Sequence, residues 1–111
     1  MPESNIIQAA DHIPWQELGG GLSRQVFGFN DQLMLVKVQF ETGGIGAPHS
    51  HPHTQVTYVA SGRFEATIGD VKQTVAAGDG FYVPPYVVHG VVCLEAGMLV
   101  DAFHPAREDF L

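Results

Sequence analysis

The sequence predicts an all-β sandwich or barrel, and three observations carry that expectation. Thirteen glycines and seven prolines interrupt the 111 residues so often that long helices have little room. Between the breaks, apolar residues alternate with polar ones, as Val36, Val38 and Phe40 do with Lys37 and Gln39. This is the period-two pattern of a half-buried strand. The runs are also short, closely spaced and rich in β-branched residues, the habit of a sheet folded on itself. A hydrophobic content of 45% against 15% charged residues excludes a disordered chain, and the length fits one domain, residues 1–111.

The elements follow in order. Residues 1–18 are the least regular part and read as an N-terminal arm. Asn30-Asp31 turns the chain between Val26–Phe29 and Leu33–Phe40. Gln55–Ala60 is a strand expected to end at Ser61-Gly62, and Arg63–Ile68 follows, with Phe64, Ala66 and Ile68 on one face. Gly69-Asp70 turns into Val71–Val75, and Ala77–Gly80 breaks before Phe81–Val83. After Pro84-Pro85 come Val87–Leu94 and Met98–Phe103, expected to be two strands joined at Ala96-Gly97. The tail from Ala106 to Leu111 is expected to form a short helical turn or to pack across the barrel.

Composition narrows the function. A net charge of -7 disfavours general nucleic-acid binding. No apolar run approaches the ~20 residues that span a bilayer, and the N-terminus lacks the basic and apolar regions of a signal peptide. The single cysteine, Cys93, lies in an apolar stretch and excludes an intramolecular disulfide, which suits a reducing cytoplasm.

Six histidines stand out, and His49, His51 and His53 lie within five residues. In an extended segment positions i and i+2 face the same way, so His49 and His51 point together. Gln55 opens the next strand, and His89 follows the stiff Pro84-Pro85 segment. A barrel bringing these together surrounds one point with three imidazoles and an amide oxygen, a donor set for Zn, Cu, Ni, Fe or Mn with open positions left for water or substrate. By spacing alone, a surface histidine tract that binds metal adventitiously reads equally well.

The motif spacing goes further. Gly43, five residues, His49, one, His51, three, Gln55, six, Gly62 resembles the first cupin motif, with Gln55 where that family usually has Glu. Gly78, five residues, Pro84, one, Tyr86, two, His89, three, Cys93 resembles the second, with Tyr86 replacing a Gly and Cys93 an Asn. The resemblance implies a double-stranded β-helix, or jelly-roll, barrel that holds one divalent transition metal through His49, His51, Gln55 and His89. Gly46–Val59, Cys93–Gly97 and the ending Asp101–Leu111 look more specifically like the KdgF family, small cupins of pectin and alginate catabolism that also carry Gln at that ligand position. KdgF proteins convert 4,5-unsaturated monouronates to the linear keto form. The resemblance implies active-site roles for Asp101, Phe103 and Arg107, and a small anionic sugar acid as the partner. Small cupins often form homodimers by pairing or exchanging N-terminal strands, and residues 22–40 are plausible edge strands for that.

The residues suit that chemistry. With Gln in place of Glu, a divalent metal keeps its full formal charge of +2, which favours an anionic substrate, and a proton carrier must come from elsewhere. Asp101 lies in the apolar strand Gly97–Phe103, where a carboxylate is costly unless it is paired or used. Arg107 suits a bidentate grip on a carboxylate, and Phe103 an apolar wall against a sugar ring. Arg24 and Gln25 are candidates for the pocket that the sequence leaves open. The competing functions are a small metal-dependent cupin dioxygenase and a non-enzymatic sugar-acid-binding cupin. The first needs a redox metal, whereas ring opening needs only a Lewis acid.

Overall fold

The computed structural model describes residues 2–111. Eight strands carry the fold: β1 (Gln16–Gly19), β2 (Leu22–Phe29), β3 (Met34–Phe40), β4 (Ile45–His49), β5 (Thr54–Ile68), β6 (Val71–Ala76), β7 (Gly80–Val83) and β8 (His89–His104). Single 3-10 turns lie at Ala10–His12 and Glu108–Phe110. Among the described residues no helix is long and apolar enough to cross a membrane.

The strands run β1-β2-β3-β8-β5-β6, with β4 added on β8 and β7 on β5, all antiparallel. β5 and β8 pair from Thr54↔His104 to Ile68↔His89 and belong to both layers of the sandwich. The C-terminal half of β8 pairs with β3, and the N-terminal half of β5 with β7. Their opposite halves pair with β4 and β6.

The pair changes layer at Ser61-Gly62 and Ala96-Gly97, the two places where the sequence reading ends strands. The chain instead continues through them as register shifts, the corner device of strands that switch sheets. The crossing is tight. A Cβ on Gly97 would lie 2.1 Å from the Ser61 carbonyl oxygen, and one on Gly62, whose φ is 82°, 2.5 Å from that of Glu95. The glycines mark a backbone crossing rather than a turn.

Between the layers, Phe40, Val59, Phe64, Ala66, Val75, Cys93 and Leu99 form the main core, and Met34, Val36, Phe103 and Ala106 a second cluster. The turn after β2 is built as expected, Asn30 Oδ1 accepting from the backbone N–H groups of Gln32 and Leu33 at 2.8 and 3.1 Å. The arm is less irregular than its composition suggests, because Gln16–Gly19 pairs with β2. Consequently β2 and β3 are interior strands, flanked by β1 and β8, and residues 22–40 do not form a sheet edge.

Candidate metal centre and its cavity

The histidines reach the site from different elements. His49 ends β4 and is directly paired with His89, which opens β8. His51 follows in the connection to β5. The ring centres lie 4.3 Å apart for His49 and His89, 4.8 Å for His51 and His89, and 5.6 Å for His49 and His51. One ligand nitrogen from each falls within 4.8 Å of the others. His51 and His89 are buried and His49 is exposed.

Each ring has its outward nitrogen held by a backbone carbonyl. Nδ1 of His49 meets the Ala47 oxygen at 2.8 Å, Nδ1 of His51 the His53 oxygen at 3.2 Å, and Nδ1 of His89 the Val87 oxygen at 2.9 Å. A carbonyl only accepts, so each Nδ1 carries a proton, and in the neutral form of such a ring Nε2 is left with a lone pair. Burial pushes the His89 pKa down to about 4, with further repulsion from His49, His51 and Arg107. Burial also lowers that of His51. Both rings are therefore neutral at physiological pH, the form that ligates metals.

Gln55, at the start of β5, completes the group. Its Nε2 donates to Thr57 Oγ1 at 2.9 Å, which turns Oε1 towards His51 Nε2, also at 2.9 Å. In the tautomer set by the carbonyl, both of those atoms are acceptors. A buried acceptor pair is costly unless a cation or proton lies between them. His89 Nε2 is likewise buried without a hydrogen-bond partner. Two unsatisfied lone pairs and an amide oxygen converging on one point are what a divalent metal needs, so His49, His51, Gln55 and His89 fit such an ion.

Beyond Gln55 the polar chain continues. Thr57 Oγ1 donates to Asp101 Oδ1 at 2.6 Å, and Gln55 Nε2 reaches the same oxygen at 3.5 Å. Asp101 is 8% exposed, and burial raises its pKa to about 6 against the pull of Thr57, Arg107 and Gln55. Leu99 and Phe103 share its buried face, as expected from period two. Thr57 was not singled out in the sequence, although it stands two residues from Gln55 and so on the same face.

These groups open on a cavity of about 250 Å³ whose lining includes His49, Gln55, His89, Asp101, Phe103 and Arg107. Such a space is of the size that takes one small molecule. Arg107 lies 5.1 Å above the Phe103 ring, but its Nε and Nη2 edge already donates to Asp109 at 3.1 and 2.9 Å. Arg24 lines the cavity as well. Gln25 points the other way and donates to the carbonyls of Ala10 and Ile13, tying down the arm. His53 stacks edge-on near His51 at 5.3 Å and Phe103 at 6.4 Å, outside the converging group. The tail also supplies Phe110, packed edge-on against Phe103 at 5.8 Å, which the sequence does not point to because its position depends on how the tail folds back.

Tyr86, which stands in for a motif glycine, has a φ of 68°. The glycine-like backbone is retained by a residue that rarely adopts it. Its N–H donates to the His51 carbonyl at 2.8 Å, so this loop helps hold the histidine segment.

Comparison with known proteins identifies relatives by sequence and by fold. The family model described as "Cupin domain" matches residues 36–102. The pectin degradation protein KdgF of Dickeya dadantii is 46% identical over 103 residues, covering 91% of this chain and 94% of that protein. An RmlC-like cupin from Shewanella frigidimarina superposes with a TM-score of 0.97 at 45% identity over 100% of both chains. KdgF from Halomonas sp. superposes with a TM-score of 0.92 at 34% identity, covering 97% of this chain and 100% of that one.

Proposed function

The chain belongs to the cupin family and, within it, to the KdgF-like members, and from that premise we propose that it converts 4,5-unsaturated monouronates to linear 5-keto-4-deoxyuronates. The carrying observation is the buried line Asp101–Thr57–Gln55 leading to three converging imidazoles in one cavity. A divalent metal bound there supplies Lewis acidity and positive charge beside an anionic substrate. His49, His51, Gln55 and His89 hold it. Ni, Zn, Mn, Fe and Cu all suit this donor set.

Asp101 takes the proton from the C1 hydroxyl. The C1–O bond of the ring then breaks, C1 becomes the aldehyde carbon, and the electron pair passes to the C5 oxygen as an enolate. Asp101 returns its proton to C4, the C5 enolate becomes the ketone, and the formula is unchanged. A carboxyl with a pKa near 6 suits both halves of this exchange near neutral pH. Thr57 holds the carboxylate in position through its hydrogen bond. Phe103 gives the sugar ring an apolar wall, and Arg107, seated on Phe103 and Phe110, contributes positive charge at the cavity for an anionic substrate.

The proposal includes a cytoplasmic setting, in keeping with the buried free thiol of Cys93, and a homodimer. The dimer reading rests on the outer face of the sheet, where exposed Leu35, Val56 and Tyr82 stand in one row across β3, β8, β5 and β7 through Ala102. Light scattering on the eluted protein tests the mass. The activity is tested by adding metal-loaded protein to freshly prepared unsaturated galacturonate and following the absorbance of the conjugated double bond. Loss no faster than the spontaneous rate removes the proposal.

A further inference from the structure

Among the described residues Arg24 has no counter-ion. It extends from β2 into the cavity, its Nε donates to Gln16 Oε1 at 2.8 Å, and its guanidinium carbon lies 3.8 Å from the centre of the Phe110 ring. Arg107 lies over the same ring at 4.2 Å. Arg107 has its carboxylate, Asp109, at 2.9 Å. Among the described residues no carboxylate comes within ion-pair distance of Arg24. Two guanidiniums thus share one acid at the wall of a largely apolar cavity. Burial accordingly lowers the Arg24 pKa, Asp109 offsets part of this, and Arg107 adds repulsion. A partly desolvated guanidinium with free terminal N–H groups is matched by a carboxylate in its plane.

We infer that Arg24 is a binding residue for the substrate carboxylate, which supplies the counter-ion that the folded chain does not. This rests on the uronate reading above and assigns the recognition of the acid group to β2, at the far end of the sequence from Asp101, Phe103 and Arg107. It also gives Phe110 a task, since its ring seats both guanidiniums.

The test compares D-galacturonate with its neutral methyl ester, by calorimetry on metal-loaded protein. Wild type should prefer the free acid. Arg24→Gln should weaken the acid by about 10–100-fold, the scale of a charge-assisted pair, and leave the ester unchanged. Arg24→Lys, which keeps the charge and loses the fork, should recover part of the loss. With unsaturated galacturonate, Arg24→Gln should raise KM by a similar factor and change kcat much less. Equal weakening of acid and ester, a change within twofold for the acid, or no preference in wild type overturns the inference. If Arg24→Gln does not fold, Arg24→Lys decides by the same acid-to-ester ratio. If wild type discriminates the acid through Arg24 but does not turn over unsaturated uronates, the proposed reaction fails and this assignment stands.

Discussion

Replacing Asp101 by Asn should stabilise the metal-free protein while removing its activity. The folded chain keeps this carboxyl 8% exposed and raises its pKa from 3.8 to about 6. Below pH 4 both folded and unfolded chains hold the proton, and nothing is lost. Between pH 4 and 6 the folded chain still binds it and the unfolded chain does not, so stability falls as pH rises. Above pH 6 the full cost is present. A shift of about two units, at roughly 1.4 kcal/mol each, makes that cost on the order of 3 kcal/mol. Asn has no charge to desolvate, and its Oδ1 can still accept from Thr57. Its amide hydrogens need acceptors, so the recoverable gain is about 1–3 kcal/mol, or of order 5–15 °C in Tm for a domain of this size. The assay is urea denaturation of both proteins between pH 4 and 8 with a chelator present. The variant curve should lie above wild type at pH 7.5 and meet it near pH 4. Turnover should fall by about 10²–10⁴-fold, the usual contribution of a positioned acid or base. A variant less stable than wild type at pH 7.5, with an unchanged pH dependence, would refute the view that Asp101 is held against its solvation preference for use.

Other perturbations read other parts of the structure. Gly97→Ala drives a Cβ to 2.1 Å from the Ser61 oxygen and should cost at least about 3 kcal/mol or prevent folding, seen in denaturation midpoint or soluble yield. Tyr86→Gly relieves a left-handed residue with φ 68° and should raise stability by up to about 1 kcal/mol, because glycine's extra freedom in the unfolded chain offsets part of the gain. A lower midpoint would mean that the ring makes contacts worth more than the strain. Stripping the metal should lower Tm, since an ion held at 100 times its Kd adds about 2.7 kcal/mol to the folded state, and His89→Ala should abolish that metal-dependent shift. Thr57→Val removes both the donor to Asp101 and the acceptor that orients Gln55, and should shift the acidic limb of the kcat profile upward and weaken metal retention, read by metal analysis after dialysis.

The sequence by itself determined what is written in short-range period and motif spacing. Alternation exposed most strands, because a half-buried sheet demands it at every second residue. The paired motifs pointed to His49, His51, Gln55 and His89 through their resemblance to the cupin pattern, and the period of an extended chain accounts by itself only for His49 and His51 facing the same way. Asp101 was legible as a charge in an apolar strand. The tertiary structure decided what depends on long-range register. Ser61-Gly62 and Ala96-Gly97 look like turns until the two strands face each other, and then each glycine is the space the other backbone occupies. Gln25 and Arg24 are equivalent candidates in sequence, and the pairing of β2 between β1 and β3 sends one to the arm and the other to the cavity. The histidine tautomers, the raised Asp101 pKa and the shared Phe110 ring likewise follow from neighbours distant in sequence or from the path of the backbone around them. Burial and electrostatics depend on distance in space, which a linear pattern records only where chain neighbours are also spatial neighbours.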